Sequence, residues 1–221
     1  MLVVRLPLTE YIEAIEIQGK IVQRKISGWS PDVLLLLEHP PTITFGKRGA
    51  ESHLLVSAED LESSGIALHS VDRGGEATYH GPGQIVGYPI MDLKSAGLSI
   101  REYVYQLEET LIVALAEFGV RGFRQAGKVG VWTDTRDKIG SIGVRVRRRV
   151  TYHGFSLNVD LSIDPGPLMV SCGMPDITMV SLNDLLDHPV ETRSVMDSVA
   201  RSFAQVFGVE PENTSLKRAL E

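Results

Sequence analysis

Cysteine is almost missing from this chain: Cys172 is the one thiol in 221 residues. An internal disulfide framework is thereby excluded, and with six scattered histidines little remains from which to assemble a zinc site. No apolar run is long enough to cross a bilayer. The chain also lacks a basic stretch followed by a hydrophobic signal core near Met1, where Leu2-Val3-Val4-Arg5-Leu6 reads as a strand. These absences lead to the expectation of a cytoplasmic protein with no membrane partner and no metal. Surplus positive charge is missing too: a formal net charge of −6 disfavours nucleic acid as the main partner, although it leaves room for a local basic patch.

What is present is ordinary globular composition, 43% apolar and 23% charged, with 21 glycines spread along the chain. That length supports one sizeable core, so residues 1–221 are read as a single domain with a polar tail from about residue 209. Ile12, Ile15, Val22 and Ile26 recur at near-helical spacing before Gly28 and predict a first helix beginning near Thr9. The continuous apolar run Val33 to Leu37, closed by His39-Pro40-Pro41, suits a buried strand, and Ile43 to Phe45 is expected to extend the same sheet. A short helix capped by Ser57 and a strand from Ile66 follow.

Ser99 and Glu102 form a capping box ahead of Leu107, Leu111, Ala114, Leu115 and Phe118, with Gly119 as the stop. Alternation at Ile142, Val144 and Val146, and again at Phe155, Leu157 and Val159, predicts two strands joined near Arg148. A last helix is placed at about Thr192 to Phe207. Strands and helices are mixed without regular alternation, so the expected fold class is α+β, a sandwich of mixed sheet and helices.

Three segments carry unusual chemistry. Arg73-Gly74-Gly75-Glu76-Ala77-Thr78-Tyr79-His80-Gly81-Pro82-Gly83-Gln84 packs polar side chains among glycines. It suits a loop around an acyl or carboxylate group, and equally a glycine-rich hairpin with a solvated arginine. Lys138-Ile139-Gly140-Ser141-Ile142-Gly143 interrupts a strand with glycines, across the turn from His153-Gly154-Phe155-Ser156. A narrow ligand crossing that face and a bulge that curves the sheet both explain it. Ser171-Cys172-Gly173-Met174-Pro175 places the lone thiol between strand-like Leu168-Met169-Val170 and a proline-bounded turn. A solitary cysteine is most often a small buried apolar group, whereas the flanking Gly and Pro favour a loop.

The runs EHPPTITFGKRG, RGGEATYHGPGQIVGY, KIGSIGVRVRRRVTYHGFSLNV and SCGM, in that order and spanning about Val33 to Met174, resemble those of the lipoyl/octanoyl transferases. The resemblance implies the fold of the biotin/lipoate protein ligase catalytic domain. It also implies an enzyme that moves an octanoyl group from octanoyl-acyl carrier protein to a specific lysine of lipoyl domains, through a cysteine thioester and with no cofactor. The implied acceptors are the lipoyl domains of 2-oxoacid dehydrogenases and the glycine cleavage H protein. On this resemblance Cys172 is the nucleophile and Lys138 its partner. Arg73, Gly74, Gly75, Glu76, Ala77, Thr78, Tyr79 and His80 line the acyl site together with Ser141, Ile142, Gly143, Gly154, Phe155 and Ser156.

A lysine is a physically sensible partner for a thiol. Bringing a free cysteine from a few per cent thiolate to half ionisation at neutral pH takes about 2 kcal/mol. An ammonium about 4 Å away contributes roughly 4 kcal/mol at an effective dielectric near 20 before desolvation, against about 0.3 to 1 kcal/mol from an exposed helix N-terminus. The acyl chain is expected in an apolar tunnel, and the basic cluster Arg145, Arg147, Arg148 and Arg149 is a candidate dock for an acidic carrier protein. The rival readings are an ATP-dependent lipoate or biotin ligase and a lipoyl-domain amidotransferase or binding protein. The Gly-Arg-Gly-Arg type of loop seen in biotin ligases does not occur in this sequence.

Overall fold

The computed structural model describes residues 1–29 and 31–221. Strand β1 (Leu2–Leu8) and helix α1 (Tyr11–Ile26) come first, then strands β2 (Val33–Glu38) and β3 (Thr42–Phe45). Helix α2 (Ala58–Ser63) starts where Ser57 Oγ accepts the Asp60 amide at 3.1 Å. Strands β4 (Ala67–Ser70), β5 (Ala77–His80) and β6 (Gln84–Ile90) lead to helix α3 (Ile100–Ala116). That helix carries the expected capping box, with the Glu102 carboxylate accepting the Ser99 amide at 2.8 Å. A meander of β7 (Phe123–Gln125), β8 (Lys128–Trp132), β9 (Asp137–Arg147) and β10 (Val150–Asn158) follows. Strand β11 (Thr178–Met179), helix α4 (Thr192–Phe207), strand β12 (Glu212–Thr214) and helix α5 (Leu216–Leu220) complete it.

Nine of the described strands form one mixed sheet in the order β12, β1, β2, β6, β10, β9, β8, β7, with β11 beside β9. The apolar run of β2 lies in its interior, between β1 and β6, and feeds both faces. Leu34 and Leu36 pack with Leu107, Leu111, Val199 and Phe203 of α3 and α4, while Leu35 and Leu37 pack with Ile17 and Ile21 of α1. The expected α+β class is therefore met by helices on both faces of a mixed sheet. The β9–β10 hairpin turns on Arg148 (φ 47°) and Arg149 (φ 73°), two left-handed residues whose twist matches that of the flanking strands.

Three expectations require correction. Strand β3 does not extend the main sheet: Pro40 and Pro41 end the β2 ladder, and β3 pairs instead with β4 and β5 in a separate three-stranded sheet. This small sheet has its own core of Ile43, Phe45, Leu61, Tyr79 and Met169. Helix α1 is rotated relative to the expected stripe. Ile12 is exposed, and the buried face runs through Tyr11, Ala14, Ile17, Ile21 and Val22, because the sheet takes the register that places Tyr11 beneath it. The segment expected as a polar tail is ordered: β12 pairs in parallel with β1, and Ala219 of α5 is fully buried against the α1 side of the sheet. A few apolar residues in a polar stretch suffice because the sheet edge supplies the remaining hydrogen bonds.

Gly83, in the turn from β5 to β6, fixes how the two sheets meet. Its φ is 83°, its amide donates to Glu38 Oε2 at 2.7 Å, and a Cβ there would lie 1.8 Å from the Asp160 carbonyl oxygen. Gly97 has a similar φ of 68° with nothing within 4 Å. In urea unfolding, Gly97→Ala should cost only the left-handed penalty of about 1 kcal/mol, whereas Gly83→Ala should cost at least about 2 kcal/mol more. Equal losses at the two positions would contradict the close approach.

Candidate active site

Lys138 reaches the site through a defect in its own strand. The β8–β9 ladder pairs Val131 with Gly140 and Trp132 with Lys138, so Ile139 is an extra residue in β9 that shifts the register. On the other side, Lys138 pairs with Met179 of β11, and its carbonyl accepts the Val180 amide at 3.1 Å. The side chain is 2% exposed and crosses β8 beside Gly130, where a Cβ would sit 2.6 Å from Lys138 Cε. Its Nζ lies 5.4 Å from the centroid of the Trp132 ring and donates to Cys172 Sγ at 3.2 Å. Among the described residues no carboxylate pairs with this amine, so the sulfur is its polar partner.

Cys172 comes from the opposite direction, on the one-turn helix Ser171–Gly173. The residues before it, expected to be strand-like, make only an isolated bridge between Met169 and Leu54. The Val170 amide donates to the His53 carbonyl at 2.8 Å and anchors the turn to the small-sheet side. Cys172 itself has φ 56° and ψ 22°, a left-handed conformation that costs a non-glycine residue roughly 1 to 2 kcal/mol. Ser141 Oγ stands 3.9 Å from the sulfur.

The dyad opens into a cavity of about 380 Å³ between the two sheets. Of the residues expected to line an acyl site, Arg73, Gly75, Glu76, Ala77, Thr78 and His80 lie on one wall. Ser141, Ile142, Gly143, Gly154, Phe155 and Ser156 lie on the other. Gly74 and Tyr79 do not line the cavity: the Gly74 amide is tied to the Val144 carbonyl at 3.0 Å, and Tyr79 turns into the core of the small sheet. Tyr11, Arg48, Val86, Tyr88, Lys128, Val129, His153 and Met174 also line it and were not singled out as site residues from sequence. Arg48 had a signal, since it falls in the run EHPPTITFGKRG; Tyr11 and Lys128 had none, because only the fold brings them there.

The cavity has apolar lining at Val86, Ile142 and Phe155, but it also holds a buried cation. Arg73 is 6% exposed and donates to Thr44 O (2.7 Å), Thr44 Oγ1 (2.8 Å) and Gly74 O (3.0 Å), all neutral acceptors. Among the described residues it has no carboxylate in ion-pair contact. Burial draws its pKa down, while the nearby Tyr11 and Cys172 push the other way. A Cβ at Gly46 would lie 2.7 Å from Arg73 Nη1, and one at Gly143 would lie 3.2 Å from its Cδ. The nearest obstacles are backbone, the Gly75 carbonyl at 2.5 Å from a Cβ at Gly46 and the Gly74 carbonyl at 2.8 Å from one at Gly143. These glycines therefore make room for the protein's own 73–75 loop together with the Arg73 side chain, a role that sequence alone does not separate from approach by a ligand.

Two histidines face the same space in defined tautomers. Asn158 Nδ2 donates to the Val180 carbonyl, Gln84 Nε2 donates to Asn158 Oδ1, and Gln84 Oε1 is 2.7 Å from His80 Nδ1. The chain of amides forces the proton onto Nδ1 and leaves Nε2 of His80 as the acceptor. His153 places Nε2 at 3.0 Å from Asp72 Oδ1, and its buried Nδ1 has no protein partner. Burial lowers the pKa of His80 and of His153, and Arg73 adds to the effect. Burial would raise the pKa of Asp72, but hydrogen bonds from Tyr152 and His153 and the charge of Arg145 hold it below the usual carboxylate range. The arginine cluster is thus divided: Arg145 pairs with Asp72 at 3.7 Å and Arg149 with Asp92 at 3.9 Å, while Arg147 and Arg148 are exposed.

His39 lies behind this wall, fully buried between the Thr9 carbonyl and the Tyr88 hydroxyl, each at 2.7 Å, and burial brings its pKa down to about 4. Three histidines are thus neutral in the fold and free to protonate once unfolded. The unfolded chain binds more protons below their ordinary value of 6.5, so stability is full above that pH and is lost as the pH falls toward 4. Each contributes a slope of at most about 1.4 kcal/mol per pH unit. Urea midpoints should fall steadily from pH 6.5 to pH 5, and His39→Gln should flatten the curve; a wild-type profile level over this range would contradict it.

The sequence and the fold each have clear relatives. Residues 10–204 match the family described as lipoyl protein ligase A/B catalytic domain. An octanoyltransferase of Acidobacterium capsulatum is 43% identical over 212 residues, covering 90% of this chain and 86% of the relative. One from Caldicellulosiruptor saccharolyticus is 41% identical over 207 residues, covering 93% and 88%. Among solved structures, a putative lipoate protein ligase of T. acidophilum with bound lipoic acid superposes with a TM-score of 0.76 at 14% identity, covering 99% of this chain and 92% of that one. A biotin protein ligase of Aquifex aeolicus superposes at 0.54 and 10% identity, covering 93% and 70%. At these identities the structures speak for the fold, whereas the sequence relatives speak for the family: the chain belongs to the octanoyltransferases, acyltransferases built on the lipoyl protein ligase A/B catalytic domain.

Proposed function

We propose that this enzyme takes an octanoyl group from octanoyl-acyl carrier protein onto Cys172 and passes it to a lysine of the lipoyl domains of 2-oxoacid dehydrogenases and of the glycine cleavage H protein, in the cytoplasm. The observation that carries this reading is the 3.2 Å contact between Lys138 Nζ and Cys172 Sγ at the wall of a cavity large enough for an acyl chain. Family membership supports the octanoyl specificity.

In the first half-reaction Cys172 Sγ attacks the thioester carbonyl. Its proton passes to Lys138, the bond from carbonyl carbon to carrier sulfur breaks, and Lys138 returns the proton to the departing carrier thiolate. In the second, the neutral ε-amine of the acceptor attacks the acyl-enzyme and yields a proton to Lys138. The amide forms as Cys172 leaves and is reprotonated. Thioester exchange is nearly neutral and amide formation is downhill, so the activation present in the donor drives both steps without ATP. Apolar side chains such as Ile142, Phe155 and Val86 give the alkyl chain about 0.8 kcal/mol for each methylene they bury. Arg73 supplies a fixed positive charge on the wall of the same cavity, which favours the negative charge that develops on the carbonyl oxygen in each tetrahedral intermediate.

Mixing the purified protein with octanoyl-acyl carrier protein should add one octanoyl group to the intact mass, and Cys172→Ala should add none. An undiminished adduct in that variant, or efficient product from free octanoate and ATP without a carrier thioester, would overturn the reading in favour of another nucleophile or a ligase. Lys138→Met should fold normally and form the adduct some 10²- to 10⁴-fold more slowly, as measured by quenched-flow mass spectrometry. An unchanged rate would remove lysine from the chemistry.

A further inference from the structure

Beside the acyl cavity lies a second groove of about 350 Å³, lined by Lys128, Thr135, Arg136, Gly173, Met174 and Asp176 among others. It shares Lys128 and Met174 with the acyl cavity, and Gly173 directly follows the nucleophile, so the two spaces meet at the turn that carries the sulfur. Lys128 and Arg136 are exposed and make no ion pair among the described residues. Lys128 Nζ is 5.3 Å from the centroid of the same Trp132 ring that Lys138 Nζ approaches at 5.4 Å. Asp176 is the one carboxylate of the groove, which leaves it net positive.

Thioester exchange imposes a geometric demand. With the carbonyl at Sγ and the alkyl chain in the acyl cavity, the departing thiol must leave on another side, and the second groove is the space that adjoins the nucleophile's turn there. The thiol end of a carrier-bound donor is a flexible chain of amides that terminates in a phosphodiester. Two unpaired cations suit that phosphate and repel an approaching lysyl ammonium. We propose that this groove holds the phosphorylated pantetheine arm of the donor thioester, with Lys128 and Arg136 on its phosphate. The assignment rests on the transferase reading above and adds to it the path of the leaving group. The hairpin arginines remain candidates only for the carrier's protein surface.

Two soluble donors that differ by one group test this: octanoyl-pantetheine and octanoyl-4′-phosphopantetheine, with the second-order rate of Cys172 acylation followed by intact mass. The wild-type enzyme should prefer the phosphorylated donor by about ten-fold or more, and the preference should shrink as salt rises. The double variant Lys128→Glu/Arg136→Glu should bring the ratio close to one, with Lys128→Gln/Arg136→Gln intermediate and the KM for the lipoyl-domain acceptor unmoved. An equal rate for both donors in the wild type, or a preference that survives in the double variant, would overturn the assignment. A rise confined to the acceptor KM would give the groove to the acceptor instead. Absence of acylation by either donor in the wild type would overturn the transferase reading itself, and the groove assignment with it.

Discussion

A lysine amine and a cysteine sulfur, 34 residues apart in sequence, meet at 3.2 Å, and much of the surrounding structure exists to permit that contact. Lys138 is buried at a register shift in β9, with strands on both sides fixing its backbone. Gly130 leaves the corridor through which its side chain runs, and the Gly130 amide is held by Glu108 Oε1 at 2.9 Å. Cys172 meets it only because its backbone accepts a left-handed conformation on a turn tied to the other sheet. Loss of the bulge, the glycine or the turn separates the two groups without altering either one.

The electrostatics around the dyad follow from burial. Arg73 is a buried cation that only neutral oxygens satisfy, an arrangement that costs several kcal/mol unless negative charge appears nearby during function. Three titratable groups of its cavity are kept uncharged: burial holds the Tyr11 phenol up at about 12 and lowers His80 and His153. The thioester of the proposed reaction would thus meet a buried guanidinium held by neutral oxygens, while the Glu76 carboxylate on the same wall is paired with Arg48 at 2.9 Å. Charge that builds on sulfur or on the carbonyl oxygen finds its field already in place.

Much of this was legible in the sequence where a local signal existed. The continuous apolar run of β2, the Ser99–Glu102 capping box, the α4 stripe and the alternation of β9 and β10 each report on neighbours within a few residues, and each element stands where it was expected. The failures share one physical origin, in that the deciding partner is distant in sequence. Nothing local to Ile12 says that the sheet will select Tyr11 and Ile17 for the buried face, or that β3 will leave the main sheet. The sparse apolar residues of α5 gain their value only from the β1 edge beside them. At the site, the family runs brought Arg73, His80 and Ser141 together with the dyad, but Tyr11 and Lys128 arrive by tertiary packing, and the glycines near Arg73 accommodate the backbone of its own loop and its side chain.

The central claim is that the sulfur beside Lys138 carries the octanoyl group on the way to its acceptor, and kinetic competence of the isolated acyl-enzyme tests it most directly. Octanoyl-enzyme freed of donor is mixed with a lipoyl domain, and both masses are followed in a single turnover. Octanoyl should leave the enzyme and reach the domain lysine at least as fast as the overall reaction turns over. An acyl-enzyme that persists while the complete system runs at full rate would contradict the claim.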